Sequence, residues 1–376
     1  MFVVTAAPLT RLSSLPLVEM TVLAFLAFIF NRLIQISLWL FVIGYIAPLK
    51  AAVAPSDIAL IVNDNDPMSI EVGDYYQHKR KLPAENVIHI SLPIVNSVSD
   101  KKFSRIRQAV FQQTPEHVQF YVLAWTAPFK VKCMSISSAM TFGFDEQYCA
   151  KGCKKTKASA YYHSDIRQPY AKLGIRPTML LAGESVAQVK ALIDRGIKAD
   201  NSFPTGTGYL VSTTDRNRNV RTKDYKRIIS ALSDRIKLET VETNALQNRQ
   251  DVLFYFTGLK SVKKLKSNTY LPGAIADHLT SAGGVLTGSA QMSALKWLDA
   301  GATASYGTVV EPCNFLQKFP NPGIVIDRYT RGESIIEAYW KSVAWPGQGV
   351  FVGEPLAAPF ASKKPAEKST IIKTIE

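Results

Sequence analysis

The sequence predicts an α/β protein with a mostly parallel, doubly wound, three-layer sheet and a long cysteine-containing insertion. Three observations predict it. Short apolar runs rich in β-formers recur along the chain, and helical periodicity fills most of the gaps between them. The first ordered stretch reads strand–helix–strand, the unit that joins parallel neighbours. The 376 residues are 47% apolar and 20% charged, enough to bury a large core and too apolar for a disordered chain.

Residues 1–54 read as a leader. Two apolar blocks, 15–30 and 33–49, flank Asn31 and Arg32. The second block has the parts of a secretory signal: Arg32 before it, an apolar centre at 38–43, and Ala52, Val53 and Ala54 at its exit. Pro55 suits a cleavage site poorly, so a retained anchor over 32–51 is the alternative. Both versions place the chain from Pro55 onward outside the cytoplasm, in the periplasm or cell envelope.

The α/β domain is expected over 55–360. Residues 57–63 form a strand; Asp66 is the N-cap and Pro67 the first residue of a helix reaching 81. A strand follows at 87–92. The helix at 101–113 puts Phe103, Ile106 and Val110 on one face, and 118–125 is a buried strand. Residues 126–176 break the alternation with Pro128, three cysteines and a basic run. They read as an insertion with little regular structure, the kind of loop that serves as a lid, a binding loop or a disulfide-pinned excursion. Alternation resumes with a strand at 177–182, a helix at 185–198, a strand at 206–214, a helix at 224–237 and a strand at 238–242. Strands at 252–258, 273–281 and 301–309 follow, with a helix at 292–300 before the last of them. Helices at 323–330 and 333–343 and a strand at 349–352 complete the domain. Residues 361–376 are a polar, lysine-rich tail expected to be disordered.

The formal charge of +14 falls only to +12 on removal of the leader, which carries Arg11, Arg32, Lys50 and Glu19. A basic surface keeps a protein soluble, and outside the cytoplasm it also suits anionic lipid or polysaccharide. Export argues against a nucleic-acid partner. In an oxidising compartment the clustered Cys133, Cys149 and Cys153 favour at least one disulfide. A zinc site made by these three with His163, in a zinc-stabilised interaction module, is the competing account.

Ligands of open parallel sheets collect beyond the carboxyl ends of the strands. That rule makes Asn63, Gly258 and Glu311 the candidate binding residues. No Walker loop, Rossmann glycine fingerprint, His-Glu-x-x-His pair or Gly-x-Ser-x-Gly elbow is present, so no cofactor or catalytic metal is implied. Gly206 and Gly208 precede a strand instead of following one. The candidate catalytic group is His278 as base with Cys313 or Ser281 as nucleophile, since a thiol or hydroxyl needs a base within reach. Asp277 cannot orient His278, because neighbours on a strand point to opposite faces. The plainer accounts are a neutral, hydrogen-bonded His278 inside the sheet and a Cys313 paired with another cysteine. Lys260, Lys263, Lys264 and Lys266 form either a solvated loop or an anion-binding rim.

Several stretches resemble an uncharacterised, exosortase-associated bacterial family, whose genomes carry the membrane enzyme that sorts proteins with a C-terminal Pro-Glu-Pro signal. They are 58–63 with Tyr75 and Tyr76, 82–87, Arg176 with Pro177, 271–281, 297–308 with Glu311 and Pro312, and 352–356 with Pro359 and Phe360. The resemblance spans 57–360. It implies an accessory protein of the Pro-Glu-Pro sorting or exopolysaccharide system, with cell-envelope components as partners. A more distant likeness is to gingipain and caspase-like cysteine peptidases. In those, a histidine follows a glycine after one strand and the cysteine follows the next strand. Here Leu259 follows Gly258 and Ala282 follows Ser281, so both catalytic positions are vacant. The likeness implies a non-peptidase relative that keeps the sheet. The expected function is therefore binding, with a cysteine or serine hydrolase as the alternative.

Overall fold

In chain order the strands are β1 (Ile58–Asn63), β2 (Val87–Ile90), β3 (Ser97–Val98), β4 (Phe120–Leu123), β5 (Lys130–Val131), β6 (Met134–Ser135), β7 (Thr178–Leu180), β8 (Thr207–Ser212), β9 (Lys237–Glu242), β10 (Val252–Gly258), β11 (Tyr270–Leu279), β12 (Ala304–Thr308) and β13 (Gly349–Gly353). The helices are α1 (Pro67–Arg80), α2 (Asp100–Gln113), α3 (Ile136–Phe142), α4 (Pro169–Leu173), α5 (Val186–Ala199), α6 (Tyr225–Leu232), α7 (Leu295–Ala300), α8 (Pro322–Thr330) and α9 (Ile335–Lys341). This computed structural model describes residues 52–150 and 153–361. The signal or anchor reading, apart from its last three residues, and the disordered-tail reading from 362 lie outside the described residues. Among the described residues no helix is long and apolar enough to cross a membrane.

Ten strands form one sheet in the order β2-β1-β4-β7-β13-β12-β11-β10-β8-β9. Every neighbouring pair is parallel except β12 with β13, which run antiparallel over five residues. The sheet therefore has two parallel halves of opposite direction. The carboxyl ends of β1, β4 and β7 lie along one edge, and those of β8, β10, β11 and β12 along the other.

Local chemistry accounts for the elements. Asp66 accepts from the Met68 N–H and Pro67 opens α1, which stops at Lys81 in a left-handed conformation. Ser99 and Ser185 cap α2 and α5 in the same way. All seven residues of β10 are buried. Their sides alternate: Phe254 and Phe256 join the main core, while Tyr255 packs with Tyr209 and Trp297 in a second core on the opposite face.

The insertion is more regular than its sequence predicts. It holds α3, whose N-cap Ser135 accepts from the Ser138 N–H and which packs on β7 and β13. This helix is buried almost throughout, so it has no polar face and no amphipathic period to read. Two disulfides hold the insertion, Cys133–Cys149 and Cys153–Cys313. Farther along it, the Ser159 N–H donates to Ala344 O and the His163 N–H to Lys341 O, both at 2.9 Å. Arg328 then binds the Asp165 carboxylate at 2.6 Å.

Candidate functional site

The carboxyl edge of β8, β10, β11 and β12 is where the sequence places catalysis. The β11 alternation sends Asp277 and His278 to opposite faces, as expected. His278 is 1% exposed. The Trp297 Nε1–H donates to its Nδ1 at 2.9 Å, and its Nε2 lies 3.1 Å from Met292 O. Indole N–H can only donate, so Nδ1 is the acceptor and Nε2 carries the proton. Both ring nitrogens are committed. Burial pushes the imidazole down to about 3, so it stays neutral at any working pH. This corrects the reading of His278 as a general base. Its ring resonances are expected to show one unchanging neutral tautomer, Nε2–H, from pH 8 to pH 5 in nitrogen-detected NMR. A midpoint near 6.5 would contradict this geometry.

Cys313 is not a nucleophile either. Its sulfur is bonded to Cys153, which leaves no thiolate to attack. Cys133 is bonded to Cys149, so the zinc site with His163 also falls away. The expected disulfide among Cys133, Cys149 and Cys153 is present, with Cys313 as the additional partner. Ser281 follows β11 and is half-buried; its carbonyl accepts from the Thr308 hydroxyl at 3.0 Å. His278 has no free nitrogen to offer it.

The three candidate binding residues do not come together. Asn63 lies on the opposite edge, at the end of β1. Its amide donates to Leu92 O and accepts from the Leu92 N–H, tying β1 to the connection after β2. Gly258 is a point of close backbone approach, since a Cβ there would overlap the Arg218 carbonyl. Glu311 accepts from the Cys313 N–H at 2.8 Å and holds a turn.

A polar cap, not singled out from the sequence, seals the ends of β10 and β11. Arg218 Nε donates to Thr280 Oγ1 at 3.1 Å, and Arg218 Nη1 pairs with Asp215 at 2.9 Å. Gln291 Oε1 accepts from the Thr280 hydroxyl and from the Ala282 N–H. Beneath the cap, Arg221 pairs with Asp277 at 2.7 Å, both side chains being almost fully buried. The only sequence signal for the cap is the Asp-Arg-Asn-Arg run at 215–218 just after a strand.

A cleft of about 620 Å³ opens on the crossovers around β11. Ser261, Ser293 and Gln291 supply hydroxyl and amide groups, and Val262, Leu265 and Leu286 an apolar floor. Two ion pairs cross its rim, Lys296–Glu184 at 2.7 Å and Lys266–Asp299 at 2.8 Å. Of the basic run after β10, only Lys266 lines this cleft.

No family model matches the sequence, and no curated protein matches it. Two solved structures are similar. One is the complex of the Porphyromonas gingivalis RgpB pro- and mature domains, at TM-score 0.42 and 11% identity, over 81% of this chain and 79% of that one. The other is described as the structure of a protease, at TM-score 0.38 and 11% identity, over 82% of this chain and 80% of that one. The fold assignment stands on this chain's own strand order.

Proposed function

We propose that the protein is an exported accessory factor of an exosortase-linked Pro-Glu-Pro sorting or exopolysaccharide system, and that it binds rather than catalyses. One observation carries the binding part. His278 is locked neutral and Cys313 is bridged, while an open cleft lined in part by Met292, the residue that His278 bonds, offers donors and acceptors over an apolar floor. Such a lining suits a hydroxyl-rich chain, which needs both kinds of polar group at fixed positions. Two disulfides support an oxidising compartment. The envelope system itself is inferred from the motif resemblance.

The test is a deletion strain scored for surface retention of Pro-Glu-Pro proteins and for extracellular polysaccharide. Loss of either trait is expected. Complementation by Ser281→Ala should match wild type, and by Lys296→Ala with Asp299→Ala should fall short. Two unchanged traits would remove the proposal. A folded Ser281→Ala protein that fails to complement would return the serine-hydrolase alternative.

A further inference from the structure

The two disulfides stand in different surroundings. Cys133 and Cys149 are half-buried and pack against the main core. Cys153 is exposed and Cys313 half-buried, and neither packs against a core cluster. Lys154 and Lys155 follow Cys153 directly. Both are exposed, and neither pairs with a carboxylate among the described residues. On the other side of the bridge, Glu311 accepts from the Cys313 N–H at 2.8 Å, and its charge acts on the buried Lys318. The positive field of the bridge therefore lies at Cys153, the end that is also open to solvent.

The bridge also works against its local chain. Cys313 and Asn314 lie in the left-handed region, which cysteine occupies at a cost. Opening the bridge frees that turn. It leaves the rest of the insertion docked, because the Ser159 and His163 N–H groups donate to Ala344 O and Lys341 O, and Arg328 holds Asp165. A change at the bridge is therefore local and does not unfold the domain.

We propose that Cys153–Cys313 is a thiol–disulfide exchange site, which takes a dithiol reductant and releases the start of the insertion from the connection after β12. One thiolate of the dithiol attacks Cys153 Sγ. A mixed disulfide forms there, and Cys313 leaves as a thiolate that takes a proton from solvent. The second thiolate of the reductant then attacks its own sulfur in the mixed disulfide, and Cys153 leaves as a thiolate beside Lys154 and Lys155. The dithiol ends as a disulfide and the two cysteines as thiols, so two electrons and two protons pass to the protein. Access and attraction of the anionic attacker act together at Cys153. Cys133–Cys149 lacks the access, and its neighbour Lys132 is paired with Asp100 at 3.0 Å.

The test is incubation of the full chain in detergent with dithiothreitol, without denaturant, followed by alkylation and peptide mass mapping. Cys153 and Cys313 are expected to be labelled while Cys133 and Cys149 stay bonded, with an unchanged far-ultraviolet circular dichroism spectrum. Lys154→Ala with Lys155→Ala should slow the labelling roughly threefold at low salt, and high salt should bring wild type down toward the variant. Both lysines are exposed, so this variant keeps the fold. Lys237→Ala, on β9, should react like wild type. The proposal is overturned by any of four results: Cys133–Cys149 opening as fast as Cys153–Cys313, labelling only in denaturant, the double lysine variant reacting at the wild-type rate in low salt, or Lys237→Ala slowing the reaction equally.

Discussion

Replacing Cys153 and Cys313 together by serine is expected to lower the unfolding free energy by up to about 5 kcal/mol. The two cysteines are 160 residues apart in sequence, against 16 for Cys133 and Cys149. A cross-link restricts the unfolded chain more as its loop grows, so the shorter bridge should contribute about 3 kcal/mol. The long loop also has a native-state role. Cys313 and Asn314 both sit in the left-handed region, at φ 55° and 57°. Asparagine tolerates that conformation and cysteine does so less readily, so the bridge holds a turn the local chain would leave. Denaturant unfolding of the two double-serine variants checks the ranking. Equal losses would mean that residual structure in the unfolded chain, not loop length, sets the contribution.

Strand positions were legible because buried parallel strands are continuous apolar runs. The runs at 57–63 and 252–258 predict β1 and β10 to within a residue. The reversal between the two halves was not legible. It depends on β13 pairing with both β7 and β12, and the sequence between Gly349 and Gly353 looks the same whichever way its neighbours run. That one pairing moves Asn63 to the far edge and breaks up the candidate binding set. The helix expected at 224–237 contracts to Tyr225–Leu232, because the chain turns after it, with the Arg235 and Ile236 N–H groups both bonded to Leu232 O, and enters β9 at Lys237.

The site was legible in its absences and opaque in its contacts. Leu259 and Ala282 can be read directly as lacking a peptidase dyad. The tautomer of His278 is set by Trp297, nineteen residues away and on a different element, which no local pattern reports. Asp277 and His278 were correctly assigned to opposite faces, because strand alternation is a local rule. What each face holds is tertiary. Trp297 occupies one, and Arg221 the other.

Arg221→Met is expected to cost about 3–5 kcal/mol at pH 8, and less at pH 5. The guanidinium binds Asp277 and also donates to Thr257 O and Pro320 O, so it joins the connections of β8, β10, β11 and β12. Burial is the largest influence on the Arg221 pKa and lowers it, but the Asp277 charge and hydrogen bond together with Tyr225 and Tyr339 leave the group raised. For Asp277, burial raises the carboxyl and the guanidinium offsets only part of that. Without Arg221 the carboxyl rises further. A carboxyl with a folded pKa above its unfolded one binds its proton more tightly in the folded state. The penalty is then complete above the folded pKa and shrinks as pH falls through it toward the unfolded value. Urea unfolding at pH 8 and pH 5 should therefore show the variant recovering relative to wild type in acid. Arg221→Met with Asp277→Leu should unfold at higher urea than Arg221→Met alone, because no uncompensated charge remains. A loss equal at both pH values, or a double variant no better than the single one, would assign the cost to the hydrogen bonds with Thr257 and Pro320 and not to the buried carboxylate.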